Sequence, residues 1–142
     1  MADCLFCKLV NNEIPSLSVY EDDDTIAFME LYPSAPGHVM VILKKHGNNI
    51  LEYSQRELGI LMASVQKVTE KIEKALEPDA ITIGINHKER RGVPHLHIHL
   101  IPRWENDKGG IIQSVVNNPP KEKREVIAEK IRNALYQKTS LK

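Results

Sequence analysis

Residues 95–103 read "HLHIHLIPR", with His95, His97 and His99 alternating with Leu96, Ile98 and Leu100. A strand has a side-chain period of two, so alternating residues fall on opposite faces. The pattern predicts a half-buried strand over 95–102. One face is aliphatic and turns into a core. The other is built of imidazole, where an ordinary surface strand carries Thr, Lys or Glu. The chain has six histidines, and half of them sit here.

Strand-like segments surround this one. "LSVYED" (17–22) and "TIAFME" (25–30) are joined by a tight acidic turn. "LYPSAPGH" (31–38), with two prolines and a glycine, predicts a loop leading into "HVMVILK" (38–44), which is apolar enough to be buried on both faces. "AITIGIN" (80–86) precedes the histidine segment. Helices are expected in three places. A short one over 4–11 is capped by Asp3 and stops before Pro15. A long one opens with the capping box Ser54-x-x-Glu57 and carries Leu58, Leu61, Met62, Val65, Val68, Ile72 and Leu76 on one face. A third spans about 121–136, with Val126, Ile127, Ile131 and Leu135 together. Short strand links favour antiparallel pairing. The expected class is therefore α+β: about five antiparallel strands, one long helix, a short N-terminal helix and a C-terminal helix.

The 142 residues suit one domain (1–142), with its motifs within about 4–105 and a C-terminal extension over about 106–142. Lys plus Arg and Asp plus Glu both total 19, which argues against a sequence-independent nucleic-acid binder. The apolar runs are too short to span a bilayer, and "MADCLFCKLV" does not read as a signal peptide. Two cysteines three positions apart do not make a secreted disulfide framework, so a cytoplasmic location is expected.

The alternating histidines leave two chemical readings open. Neighbouring strand imidazoles can share a zinc ion, or one of them can act as a nucleophile held by the others. Cys4-x-x-Cys7 opens the chain with no strand before it, unlike a redox pair in a βαβ setting. A structural Zn²⁺ site needs four ligands, which here only histidines could complete.

The motif H-x-H-x-H followed by apolar residues resembles the signature of the histidine-triad (HIT) family. The resemblance extends over "CLFCKLVNNEIP" (4–15), "VYEDDDTIAFMELYPSAPGHVMVILKKH" (19–46) and "HLHIHLIPRW" (95–104), roughly the first 105 residues. It implies cleavage or transfer of nucleotides at the α-phosphorus through a nucleotidyl-histidine. Substrates in the family are nucleoside phosphoramidates, dinucleoside polyphosphates and related adenylates. By the same resemblance His97 is the nucleophile, His99 binds phosphate oxygens and assists the leaving group, and His38 lies beside them. Asn86 matches an asparagine facing the scissile phosphate. Glu30 takes the place of a ribose-binding carboxylate, usually Asp. Phe6, Leu9, Phe28 and Leu31 match the lining of a base pocket for a purine nucleotide, adenosine type.

The zinc-bearing, bacterial-type members pair their C-x-x-C with two histidines, which correspond to His46 and His95. The resemblance thus implies structural zinc on Cys4, Cys7, His46 and His95, and no metal required for catalysis. It also implies a homodimer. The sequence departs from the family just before the triad, where a Gly-Gln-Ser/Thr-like segment is usual. Arg91 and Gly92 stand there instead. Gly92 can still offer a backbone N–H, and Arg90 and Arg91 are suited to bidentate contacts with further phosphates. The stretch "GVPHLHIHLIPRW" (92–104) also resembles the branch that acts on diadenosine polyphosphates, phosphorylases included. Two other functions fit the same residues: a nucleotide-binding regulator with little turnover, and a hydrolase with a catalytic metal in the histidine cluster.

Overall fold

The computed structural model describes residues 3–136; the first two residues and the end of the C-terminal extension, 137–142, lie outside them. Helix α1 (Leu5–Val10) is followed by strands β1 (Ser18–Glu21), β2 (Thr25–Met29) and β3 (Val39–Leu43). Then come the long helix α2 (Gln55–Leu76), strands β4 (Ala80–Gly84) and β5 (His97–Arg103), and helix α3 (Arg124–Asn133). The five strands form one antiparallel sheet in the order β1-β2-β3-β5-β4. The class and strand count are those expected.

β3 is the centre of the molecule. All five of its residues are buried, because its two faces serve two cores. Val39, Val41 and Leu43 pack with Ala27, Leu96, Ile98, Leu100 and the α2 residues Leu61, Val65, Val68 and Ile72. Met40 and Ile42 face the other way, toward Phe6, Leu9, Ile26 and Phe28. Burying each such aliphatic side chain contributes about 1.5–3 kcal/mol, so both layers hold the sheet against its helices.

The helix signals act locally. At the start of α2, the Ser54 hydroxyl accepts the Glu57 N–H at 3.2 Å, while the Glu57 carboxylate accepts the Ser54 N–H at 2.8 Å. Glu77 closes α2 in a left-handed conformation, φ 48°, ahead of Pro78. In α1 the cap is Cys4, not Asp3: the Cys4 sulfur accepts the Cys7 N–H at 3.4 Å. That sets the buried Cys4 sulfur beside Cys7, which is half-buried one turn on.

Two expected faces are only partly buried. Met62 and Leu76 on α2 are 52% and 42% exposed. Met62 borders a cleft with Ile83 of β4, at the unpaired edge of the sheet. α3 is shorter than expected and buries no side chain; Val126, Ile131 and Leu135 are exposed, with Leu135 beyond the helix end. Its apolar stripe meets no layer of the core, since the core already has a helix on each side of the sheet.

Candidate active site and cysteine–histidine cluster

β5 pairs antiparallel with β3, setting His97 opposite Ile42 and His99 opposite Met40, on the face that carries α1. His95 lies just before the strand begins and is fully buried. His97 donates its Nδ1–H to the His95 carbonyl oxygen at 2.7 Å. In the neutral ring this tautomer carries its lone pair on Nε2. The ring stands edge-on to Phe6, centroids 5.3 Å apart, and only 11% of the side chain is exposed. The ring is thus fixed in orientation by one bond through Nδ1, with Nε2 left on its other edge.

His99 is held by a relay. The Ser34 N–H donates to His38 Nδ1 at 3.0 Å, so His38 carries its proton on Nε2. That proton is donated to His99 Nδ1 at 2.9 Å, so His99 in turn carries its own on Nε2. The relay starts at a backbone amide, which cannot reverse, and so every member has one allowed tautomer. Burial, first, pushes both His38 and His99 below the ordinary imidazole range, and for His99 the neighbouring His97 and His38 add to this. Both rings are thus neutral donors at neutral pH. The turn before His38 depends on Gly37, whose φ is +80° and where a Cβ would collide with Leu76.

The third histidine belongs to a different group. His95 donates its Nε2–H to the Leu43 carbonyl oxygen at 2.8 Å, which frees Nδ1. Nδ1 lies 3.5 Å from Cys4 Sγ and 3.7 Å from Cys7 Sγ, and His46 Nδ1 is 3.2 Å from Cys7 Sγ. All four donor atoms lie within 4.8 Å of one another. A tetrahedral ion with sulfur at about 2.3 Å and nitrogen at about 2.0 Å has N–S edges of roughly 3.5 Å. The cluster fits such an ion, and the Leu43 bond is the outer contact that orients a histidine ligand. Burial, first, and then Cys4 push the Cys7 thiol up, a penalty that a bound cation reverses.

Phe6, Leu9 and Phe28 are buried together, with Phe6 and Phe28 in an edge contact at 5.2 Å. Of the three, Phe6 stands against His97, and all three belong to the core on the α1 face of the sheet. Leu31 is 78% exposed, on the loop after β2, outside that cluster. The Glu30 carboxylate is half-buried; an oxygen lies within 4.8 Å of ring nitrogens of His38 and His99. Its backbone N–H is bonded to the His38 carbonyl, which ties the two ends of the loop together. A larger apolar groove of about 580 Å³, bounded by Val19, Met29, Val39, Val68 and Ile72, lies on the α2 face, away from this chemistry.

The HIT domain model matches residues 11–106. The chain belongs to the HIT family. It is 40% identical over 118 residues to an uncharacterized HIT-like protein of Borreliella burgdorferi, covering 78% of this chain and 82% of that one. It is 30% identical over 113 residues to the adenosine 5'-monophosphoramidase HNT1 of Saccharomyces cerevisiae, covering 78% and 68%. Among solved structures, SMU.412c of Streptococcus mutans UA159 is 38% identical with a TM-score of 0.81, covering 93% of this chain and 85% of that one.

Within this HIT domain the loop over 85–94 holds what sequence reasoning missed. Asn86, Glu89, Val93 and His97 line one small cleft of about 110 Å³. Glu89 places Oε2 4.0 Å from His97 Nε2, with 37% of its side chain exposed. Gly92 packs against that carboxylate: a Cβ there would stand 2.5 Å from Glu89 Oε2. Arg90 and Arg91 are exposed on the same loop, and neither makes a salt bridge among the described residues. Nothing in the local pattern "HKERRG" marks Glu89 as different from a solvated loop charge. Only folding the loop over β5 does so.

Proposed function

We propose that this HIT protein cleaves nucleotides at the α-phosphorus through a nucleotidyl-His97 intermediate. The observation that carries the reading is the Nδ1–H bond of His97 to the His95 carbonyl, which leaves the Nε2 lone pair aimed out of the sheet. In the first step a bond forms between Nε2 and phosphorus. The bond from phosphorus to the leaving group breaks, and its electron pair departs with that group, which takes a proton from solvent. In the second step water attacks phosphorus, the N–P electron pair returns to Nε2, and the water proton passes to solvent.

His99 serves as a hydrogen-bond donor to the phosphoryl oxygens through Nε2–H. A neutral His99 that gave up this proton would become an imidazolate, because His38 already occupies its Nδ1. The relay therefore suits donation of a hydrogen bond rather than outright proton transfer. Asn86 and the Gly92 N–H would contact the phosphate, and Arg91 would reach phosphates farther out. Glu30 would accept the ribose hydroxyls, with Phe6, Leu9, Phe28 and Leu31 beside the base. An adenosine-type nucleotide is supported by the named activity of the yeast relative.

Zinc on Cys4, Cys7, His46 and His95 would be structural, tying α1 to β5. Two thiolates and two imidazoles form a closed set of ligands, with no position left for substrate. A homodimer is supported by the unpaired edge of β4, where Ile83 and Met62 are exposed side by side. Among the described residues no helix is long and apolar enough to cross a membrane, and a cytoplasmic location is part of this proposal.

The test compares wild type with His97→Ala on adenosine phosphoramidate and diadenosine polyphosphates, with and without chelator. An in-line nucleophile is worth at least about 10³-fold, so the variant should lose turnover of every substrate. Loss with chelator and recovery with added metal would favour a catalytic metal instead. Tight nucleotide binding without product would favour a regulator.

A further inference from the structure

The cysteine–histidine cluster has a closed side and an open one. Cys4 is 4% exposed and His95 not at all, while Cys7 and His46 are partly exposed. The open side therefore presents a sulfur, Cys7 Sγ, with His46 Nδ1 3.2 Å away. Cys4 is the other of the chain's two cysteines, and the two Sγ atoms lie within 4.8 Å of each other. The bond from the Lys8 N–H to the Cys4 carbonyl, 3.1 Å, closes both into one helical turn. The pair lacks the strand that precedes a redox C-x-x-C of the βαβ kind. It has instead what thiol oxidation requires, an accessible sulfur with a buried, resolving sulfur beside it.

We infer that Cys7 and Cys4 form a modification site for peroxides, whose closure to a disulfide dismantles the four-ligand cluster and disturbs the wall of His97. In the first step the Cys7 thiolate attacks one oxygen of the peroxide. An S–O bond forms, the O–O bond breaks, and the departing hydroxide takes a proton from solvent and leaves as water. In the second step the Cys4 thiolate attacks the sulfenic sulfur of Cys7. An S–S bond forms, the S–O bond breaks, and the second hydroxide takes a proton and leaves as water. The two sulfurs together lose two electrons, and the peroxide gains them. His46 and His95 are then left as two ligands where a zinc site needs four.

Closure reaches His97 through Phe6. Residues three apart on a helix hold their Cβ atoms about 5–6 Å apart, whereas a disulfide needs about 3.5–4.5 Å. The first turn of α1 must therefore tighten by about 1–2 Å. Phe6 lies within that turn and stands edge-on to His97 at 5.3 Å and to His95 at 6.0 Å, the residue whose carbonyl holds the His97 ring. A displacement of about 1 Å at a reacting group can cost about 10²-fold in rate. Turnover of the oxidised protein should thus fall between about tenfold and about 10²-fold. That fall rests on nucleotidyl transfer at His97 as proposed above; the formation of the disulfide does not.

The test treats zinc-loaded protein with a small excess of hydrogen peroxide and follows zinc with a chromogenic indicator. Trypsin releases residues 1–8, MADCLFCK, which hold both sulfurs. That peptide should become two hydrogens lighter in step with release of about one zinc per chain, and dithiothreitol with added zinc should reverse both. Cys7→Ser should abolish the mass change. Turnover of adenosine phosphoramidate is compared before and after oxidation, at a temperature where circular dichroism shows the oxidised protein folded. Phe6→Leu keeps both sulfurs but removes the ring, so the disulfide should still form while most of the oxidative fall in turnover disappears. Zinc release without the lighter peptide, sulfinic or sulfonic products in place of the disulfide, or no change at all would overturn the inference. A disulfide that leaves wild-type turnover unchanged would overturn the coupling to His97. Should the reduced protein turn over no nucleotide, nucleotidyl transfer fails by itself, and the peptide mass and the zinc release still decide whether the modification site exists.

Discussion

Replacing His38 with alanine should disable His99 without touching it. His38 is 4% exposed and holds two bonds, from the Ser34 N–H at 3.0 Å and to His99 Nδ1 at 2.9 Å. Removing the ring leaves a cavity at a buried site, while the N–H of the exposed Ser34 can turn to water. A cost of about 2–4 kcal/mol lowers the unfolding midpoint by roughly 5–15 °C for a chain of this size. The kinetic effect is separate. Without the His38 donor, the bond that fixes the His99 tautomer is lost, worth about 1 kcal/mol, or roughly fivefold in population. Loss of a positioned donor to the phosphoryl group costs up to about 10²–10³-fold. The fall in kcat should therefore lie between about 10-fold and about 10³-fold at a temperature where the variant is folded. Steady-state rates for wild type, His38→Ala, His99→Ala and the double variant decide the matter. In a relay, His38→Ala costs little once His99 is gone. If His38→Ala lowers kcat by the same factor in both backgrounds, or leaves it unchanged, the relay is refuted.

Three further outcomes are expected. Chelation should remove about one Zn²⁺ per chain by elemental analysis and lower the unfolding midpoint; an ion present at a hundred times its Kd contributes about 2.7 kcal/mol, and an unchanged midpoint would count against the cluster as a structural site. In chelator-treated protein, stability should fall as pH drops below about 6.5. Burial first, then His46 and His97, hold His95 down to about 4 against the bond to Leu43, so the unfolded chain takes up the proton first. About 3 kcal/mol is present above pH 6.5 and lost by about pH 4, and a flat denaturation midpoint over that window would contradict it. Glu30→Gln should weaken adenosine monophosphate about tenfold by calorimetry while barely changing the already weak 2',3'-dideoxy nucleotide; equal small losses for both would retire Glu30 as the ribose anchor.

Most of the fold was legible because its signals are local. The alternation over 95–102 marks a strand, the capping box at Ser54 and Glu57 starts α2, and the continuous apolar run at 39–43 marks the central strand. The cap of α1 was misplaced because a cysteine sulfur does the work expected of the Asp3 carboxylate. The α3 face was legible as amphipathic, but the pattern carries no information on whether a partner layer exists within the chain. At the site, residue types and spacing point to the histidines and cysteines. The division between them depends on two carbonyls, of His95 and Leu43, which no side-chain pattern reveals. Glu89 was missed for a related reason: its meaning lies in a distance across the loop, not in its neighbours in sequence.

The central claim is that His97 Nε2 becomes bonded to phosphorus. The direct measurement is acid- and base-quenched mass spectrometry of protein mixed for milliseconds with an adenosine phosphoramidate, followed by digestion and peptide mapping. A histidyl phosphoramidate survives base and is lost in acid. The account predicts one adenylyl group per chain on the peptide carrying His97, formed at a rate no slower than turnover and absent in His97→Ala. Turnover that continues in His97→Ala, or an adduct mapped to another residue, would contradict it.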